Sequence, residues 1–171
     1  MTHQLELSTI ADCLAATIPT LNSTVSVLPD EIVRFRPAAG EWCVNEVIGH
    51  LIEAEQRGFA GRIRHMLVEE YHQCSGWDPD QVAIDRRDDE GDAQELLEEF
   101  AALRQAGVAL VHRLDAGQLD RLALHPTVGE ISVSNLLHEW VYHDLNHLKQ
   151  IASNVQLFVW SSMGNAQRFS S

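Results

Sequence analysis

Three histidines lie within ten positions of the segment HEWVYHDLNHLKQI, residues 138–151. On an α-helix each residue advances about 100°, so His143 and His147 point in nearly the same direction, one turn apart. His138 lies about 140° from His143 and faces elsewhere. Imidazole is a common metal ligand, and an i, i+4 pair can present two of them to one ion. The segment therefore predicts that His143 and His147 act as a pair, either as metal ligands or as hydrogen-bonded core residues.

A third histidine faces inward on another predicted helix. His50 lies in the apolar stripe that Val47 and Leu51 form, and His143 and His147 lie in the stripe of the last helix. Each inward-facing imidazole needs a hydrogen-bond partner or a metal. Three neutral imidazoles with an open fourth position are typical of catalytic zinc sites, and they also suit Ni, Fe or Cu. The pattern favours a metal site, with a hydrogen-bonded core as the alternative.

Polar residues close to these histidines could support such a metal. Asp144 and Gln150 follow on the same helix and are candidates for hydrogen bonds to the ligands. Glu55, about 140° from His50 on its helix, is a candidate acid or base. His125 in HPTVGE is expected in a loop, where it either lines the mouth of the site or ends a turn. The histidines without a partner at ligand spacing are His65, His72 and His112.

Four long apolar stripes at helical spacing predict the framework. The expected helices cover about residues 5–28, 43–71, 92–117 and 132–153. Pro19 is expected to kink or divide the first helix. Polar connections are expected at residues 72–91 and 119–133, because neither shows convincing strand alternation. The sequence thus predicts an all-α four-helix bundle in a single domain, residues 1–171, whose tail from about residue 154 adds a short helix or strand.

The predicted second helix begins with the segment CVNE, which has the form of a capping box. Cys43 occupies the position where Ser or Thr normally lies. The favoured interpretation is a small buried residue tolerated at a cap. The alternative is a reactive thiol whose pKa the helix dipole lowers.

Charge and composition limit the classes of function. The chain of 171 residues carries 25 acidic against 12 basic side chains, a formal charge of −13. Nucleic-acid binding needs clustered Lys and Arg, so it is not expected. No segment approaches the roughly 20 apolar residues of a membrane span, and the first residues lack the basic region of a secretory signal. Three widely spaced cysteines without a CxxC pair fit a reducing compartment, so a cytoplasmic protein is expected.

Two segments resemble one family in the expected order. GEWCVNEVIGHLIEAE is similar to the second-helix signature of the DinB/YfiT-like superfamily of metal-dependent hydrolases, and HPTVGEISVSNLLHEWVYHDLNHLKQI is similar to its closing signature. The likeness covers about residues 30–153 and departs from the pattern at Cys43. It implies a four-helix bundle of the DinB type, whose metal-binding histidines fall on His50, His143 and His147. It also implies a homodimer and, for some members, thiol-dependent transferase or isomerase activity with mycothiol or bacillithiol.

These observations leave three hypotheses for function. In the first, the protein is an enzyme that binds a divalent metal, Zn or Ni before Fe, Mn or Cu, and acts on a small molecule as a hydrolase or a thiol-dependent transferase. A low-molecular-weight thiol is then a candidate cofactor. In the second, it is a non-enzymatic stress-response or binding module whose metal site is structural or vestigial. In the third, it is a metal-free bundle with hydrogen-bonded histidines.

The last helix also carries a second apolar stripe, which suggests how copies could associate. One apolar face per helix suffices for a four-helix bundle, so the surplus must be buried against the tail or against a second chain in a symmetric contact. The residues of this second stripe are Leu137, Val141, Leu145 and Leu148.

Overall fold

Helices make up most of the chain in the computed structural model, which describes residues 4–170. The α-helices are α1 (Leu7–Val25), α2 (Asp30–Val33), α3 (Val44–Glu53), α4 (Ala60–Val68), α5 (Pro79–Arg86), α6 (Ala93–Val111) and α7 (Val133–Trp160). A π-helical turn, Ala54–Gly58, joins α3 to α4, so that α1, α3–α4, α6 and α7 form the four long members of the bundle. Short 3₁₀ segments cover Asp88–Glu90, Ala116–Gln118 and Ser161–Phe169. The predicted four-helix framework is confirmed.

The ends of the long helices follow the capping residues that the sequence shows. The Asp92 carboxylate accepts hydrogen bonds from the backbone N–H groups of Gln94 and Glu95 at the start of α6. The Ser132 hydroxyl accepts one from Asn135 at the start of α7. Both caps satisfy N–H groups that have no partner inside the helix.

Other helix boundaries differ from the prediction. Helix α6 ends at Val111, and Gly117 lies in the following 3₁₀ turn, whereas α7 continues seven residues beyond Ser153 to Trp160. Helix α1 continues through Pro19 without division. The proline is exposed on the outer face, while the opposite face of α1 is buried against the bundle, and this packing holds the helix together.

A small sheet replaces the loop predicted at residues 119–133. Strands β2 (Leu122–His125) and β3 (Gly129–Ser132) pair in an antiparallel hairpin, and β1 (His72–Gln73) adds in parallel to β2. Only Ala123 of β2 is fully buried, so strands this short show too little alternation to be distinguished from a loop. The hairpin lies directly before α7 and fixes where that helix begins.

The polar connection predicted at residues 72–91 also contains structure. Pro79 occupies the first turn of α5, and the Asp78 carboxylate caps that helix by accepting from the N–H groups of Asp80 and Gln81. Both are ordinary helix-start signals that the polarity of the segment obscured. The segment docks on α3 through Arg86, whose guanidinium donates to Glu53.

The core consists of two clusters of buried apolar side chains with a charged group between them. Phe100 belongs to one cluster and Trp140 to the other. The guanidinium of Arg104 lies 4.8 Å from the ring centre of Phe100 and 5.4 Å from that of Trp140. No helix among residues 4–170 has the length and apolar character that a membrane span requires.

Candidate metal centre

The structure brings the three predicted histidines together at the contact between α3 and α7. Nε2 of His50 lies 2.9 Å from Nε2 of His143, and each of the three imidazoles offers a nitrogen within 4.8 Å of the others. The ring centres of His143 and His147 are 4.4 Å apart, as their i, i+4 spacing requires. Helical periodicity determines which way each histidine points, and the packing of α3 against α7 brings the three side chains together.

The histidines are held in their neutral form. Burial, and then the proximity of His147, lowers the pKa of His50 to about 3. Burial, followed by His147, His50 and Arg104, lowers the pKa of His143 to about 2. Burial also lowers the pKa of His147, against the opposing effects of Gln150 and Asp144. Neutral imidazole is the form that binds a metal, so the cluster is ready for ligation without losing protons at neutral pH.

The three Nδ1 atoms differ in their hydrogen bonding. Nδ1 of His147 lies 2.8 Å from the side-chain oxygen of Gln150, which fixes the ring and directs Nε2 toward the other histidines. Within residues 4–170, Nδ1 of His50 and Nδ1 of His143 are buried without a hydrogen-bond partner. Three converging neutral imidazoles are a donor set that fits a divalent transition metal.

Aromatic rings enclose the cluster on several sides. Trp77 stacks on His50 at 5.6 Å between ring centres, and Trp42 lies 4.9 Å from the same ring. Phe59 meets His143 edge-on at 5.0 Å. Trp77 comes from the segment between β1 and α5, so this part of the polar connection supplies one wall of the site. These rings pack against the imidazoles and hold their orientation.

A pocket of about 660 Å³ opens onto the three histidines. Its size suits a small organic molecule. Its walls are mostly apolar, and its polar groups include Arg62, His125 and Glu139. His125 therefore lines the pocket, and it also ends a turn, because its Nδ1 faces the Thr127 backbone N–H at 3.2 Å.

The family is shown by direct comparison. The sequence model of the DinB superfamily matches residues 14–151, most of the chain. The chain belongs to the DinB superfamily.

Two relatives extend this assignment. A "putative metal-dependent hydrolase" of Oceanobacillus iheyensis is 25% identical over 131 residues, which span 77% of this chain and 75% of that protein. YfiT from Bacillus subtilis, described as a probable metal-dependent hydrolase with an unusual four-helix bundle topology, superposes with a TM-score of 0.84. That alignment covers 94% of this chain and 91% of YfiT at 22% identity, so it shows a common fold.

Two of the residues predicted to support the ligands of this DinB protein have a different partner. Glu55 and Asp144 are both buried against Arg104, which donates to Glu55 at 2.7 and 2.9 Å and forms a two-pronged contact with Asp144. Trp140 also donates to Glu55, and Thr17 donates to Asp144. In the part of the chain that the structure describes, neither carboxylate hydrogen-bonds to a histidine; Asp144 acts on His147 through its charge. Only Gln150 contacts a predicted ligand as the sequence suggested.

Cys43 of the DinB fold is a buried cap residue. Its side chain is fully buried, and burial raises the pKa of the thiol to about 11. The Glu46 carboxylate accepts a hydrogen bond from the Cys43 backbone N–H at 2.8 Å, which is the acidic half of the expected capping box. The favoured interpretation as a small buried residue therefore holds, and the thiol stays protonated at neutral pH.

A second histidine group lies at the surface of the DinB bundle. Nδ1 of His65 and Nδ1 of His72 lie 2.9 and 2.7 Å from the two carboxylate oxygens of Glu69. The prediction that these histidines lack partners at ligand spacing was wrong. Helix α4 ends at Val68, so helical periodicity does not apply between Glu69 and His72.

Sequence reasoning missed Glu139 and Arg62, which both line the pocket. Glu139 lies one turn before His143 on α7, and this i, i+4 spacing was the available signal. The residue is largely exposed, and the partial desolvation of its carboxyl group raises its pKa. Arg62 carried no comparable signal, because its side chain reaches the pocket from α4, beyond the π-helical turn.

Proposed function

We propose that this DinB-superfamily protein is a metal-dependent hydrolase that acts on a small molecule in the pocket beside His50, His143 and His147. One observation carries the proposal: three neutral imidazoles converge at the wall of a pocket large enough for a substrate. A purely structural metal site is usually closed by four protein ligands, and it has no need of such a pocket.

The residues present fit a divalent ion, and Zn or Ni suits three imidazoles best. When bound, such an ion supplies Lewis-acid activation of a water molecule or a substrate oxygen. His50, His143 and His147 would hold it. Gln150 keeps the His147 ring in position through its bond to Nδ1. Trp77 and Phe59 exclude bulk water from this side of the pocket.

Glu139 is the group that we assign to proton transfer. Its carboxylate lines the pocket one turn from His143, and partial burial raises its pKa, which favours a role as an acid or base. Glu55, the acid or base predicted from the sequence, is instead held by Arg104 and Trp140.

The test is a screen of chromogenic esters, amides and thioesters with metal-free protein and with protein loaded with Zn or Ni. Turnover should require the metal, and Glu139→Gln should lower kcat about 100-fold at unchanged metal content. Glu98→Gln, an exposed carboxylate on α6, is the matched control. Turnover that survives metal removal would contradict the proposal. Turnover that requires an added low-molecular-weight thiol would move the protein to the transferase class.

We also propose that the protein forms a homodimer. The support is an exposed apolar pair on α7, Tyr142 and Leu145, with 62% and 57% of their surfaces accessible. They lie three residues apart on one face, where a symmetric contact could cover both.

A further inference from the structure

Arg62 lies at the pocket wall with incomplete hydrogen bonding. Its Nη2 lies 3.3 Å from the backbone oxygen of Ser75 and 3.1 Å from Nε2 of His125. Its Nε is buried and, among residues 4–170, has no hydrogen-bond partner. The guanidinium therefore has donor capacity that the protein leaves unused.

The charge of Arg62 is also uncompensated. The buried or half-buried Arg86 and Arg104 each contact two or more carboxylates. Among the described residues, no carboxylate lies within ion-pair distance, 4.0 Å, of Arg62, although the chain carries 25 acidic side chains. Burial lowers the pKa of Arg62. A half-buried cation without a counter-charge is costly, and a bound anion would offset that cost.

The contact with His125 leaves a further donor unsatisfied. N–H groups approach both of its ring nitrogens: the Thr127 backbone N–H lies 3.2 Å from Nδ1, and Nη2 of Arg62 lies 3.1 Å from Nε2. A neutral imidazole has one acceptor nitrogen and one N–H, so it can accept from only one of the two. An oxygen placed beside Arg62 and His125 would accept from the donor that is left over. This arrangement favours a negatively charged acceptor.

We propose that Arg62 and His125 bind the carboxylate of the substrate, whose apolar body fills the pocket and whose other end reaches the three histidines. One guanidinium beside a neutral imidazole matches a single negative charge, so a carboxylate suits it better than a dianionic phosphate. Phe59, Trp77 and Leu136 supply apolar surface for the body of the molecule. The proposal relies on the proposed function only in placing the reacting end at the histidines.

The test compares two probes of equal shape, 3-phenylpropanoate and its neutral amide. Their affinities are measured by calorimetry and by tryptophan fluorescence on the full chain, both with and without metal. The carboxylate should bind at least about tenfold more tightly than the amide in both states, because the preference comes from Arg62 and not from the metal. Equal affinities, or failure of both probes to bind, would overturn the proposal.

Variants identify the residue responsible. Arg62→Gln should abolish the preference for the carboxylate. Arg62→Lys should retain part of it, since lysine keeps the positive charge but lacks the planar guanidinium. Arg64→Gln removes an exposed arginine from the same helix and should behave as wild type. A preference that persists in Arg62→Gln would overturn the assignment. Metal content, measured on the same samples, tests the histidine site separately.

Discussion

The imidazoles of His50 and His143 are placed for metal binding, but in these positions neither ring can readily take up a proton. Their pKa values of about 3 and about 2 lie far below the value of about 6.5 for an unfolded chain. At pH values between these folded-state pKa values and about 6.5, the unfolded state binds more protons than the folded state. The free energy of unfolding therefore decreases as pH falls below about 6.5, because protons favour the unfolded chain.

We predict that the metal-free protein loses stability between pH 7 and pH 5, by about 1 kcal/mol per histidine for each pH unit below about 6.5. Denaturant unfolding at several pH values measures this directly. His143→Asn removes one of the titrating groups and should show a shallower dependence. His112→Asn changes an exposed histidine and should retain the wild-type dependence. A wild-type stability that is flat over this range would show that the cluster is not buried as described.

Sequence periodicity predicted the direction of the histidine side chains but not the partners of the two buried carboxylates. The angle of 100° per residue placed His143 and His147 on one face, and the structure agrees. It could not show that Arg104, 40 residues before Asp144 and 49 after Glu55, holds both carboxylates. Partners from an opposite helix depend on how helices pack, which a single helical wheel does not contain.

At the scale of elements, the π-helical turn and the segment after β1 shape the pocket. The turn at Ala54–Gly58 lies between His50 on α3 and Arg62 on α4, so it determines how these two pocket residues are placed relative to each other. Single π-helical turns within α-helices are frequent at functional sites. Neither the turn nor the β2–β3 hairpin was predictable, because both involve too few residues to give a periodic pattern.

Gly49 permits the close docking of the segment around α5 on α3. A Cβ at this position would lie 1.7 Å from Oδ2 of Asp88 and 3.3 Å from Nε of Arg86. These two side chains are hydrogen-bonded to each other, and Arg86 also donates to Glu53. The absence of a side chain next to His50 is therefore a packing requirement.

We predict that Gly49→Ala lowers the free energy of unfolding by about 1–3 kcal/mol, the usual cost of overpacking, despite the higher helix propensity of Ala. Chemical denaturation measures the change. Gly58→Ala is the matched control, since its Cβ would meet only Ala54 at an ordinary 3.6 Å. A Gly49→Ala protein as stable as wild type would mean that the Arg86–Asp88 pair moves aside freely.

At the scale of the whole molecule, the second apolar stripe of α7 is mostly covered within the chain. Leu137 is buried, and Val141 and Leu148 pack against the two core clusters. Leu145 alone remains largely exposed, next to Tyr142. The stripe therefore gives less support for a dimer than the sequence suggested, because the helical wheel could not show how much surface the bundle itself would bury.

The proposed dimer is tested by light scattering at micromolar concentration, which should give twice the chain mass of 19.1 kDa. Each chain carries a charge of −13, so added salt should strengthen association by screening the repulsion. Replacing both Tyr142 and Leu145 with Lys should yield a monomer. Ile84→Lys, at an exposed apolar residue on α5, should leave the dimer intact. A monomeric wild-type protein would exclude this association.

The central claim is that His50, His143 and His147 together hold one divalent metal ion. Elemental analysis of protein purified without a histidine tag measures it most directly. The account predicts about one Zn or Ni per chain in the wild type, most of which is lost in His143→Ala, whereas His138→Ala retains it because that ring faces Leu5 and not the cluster. Full metal occupancy in His143→Ala, or a wild-type protein that binds no divalent metal when supplied with it, would contradict the account.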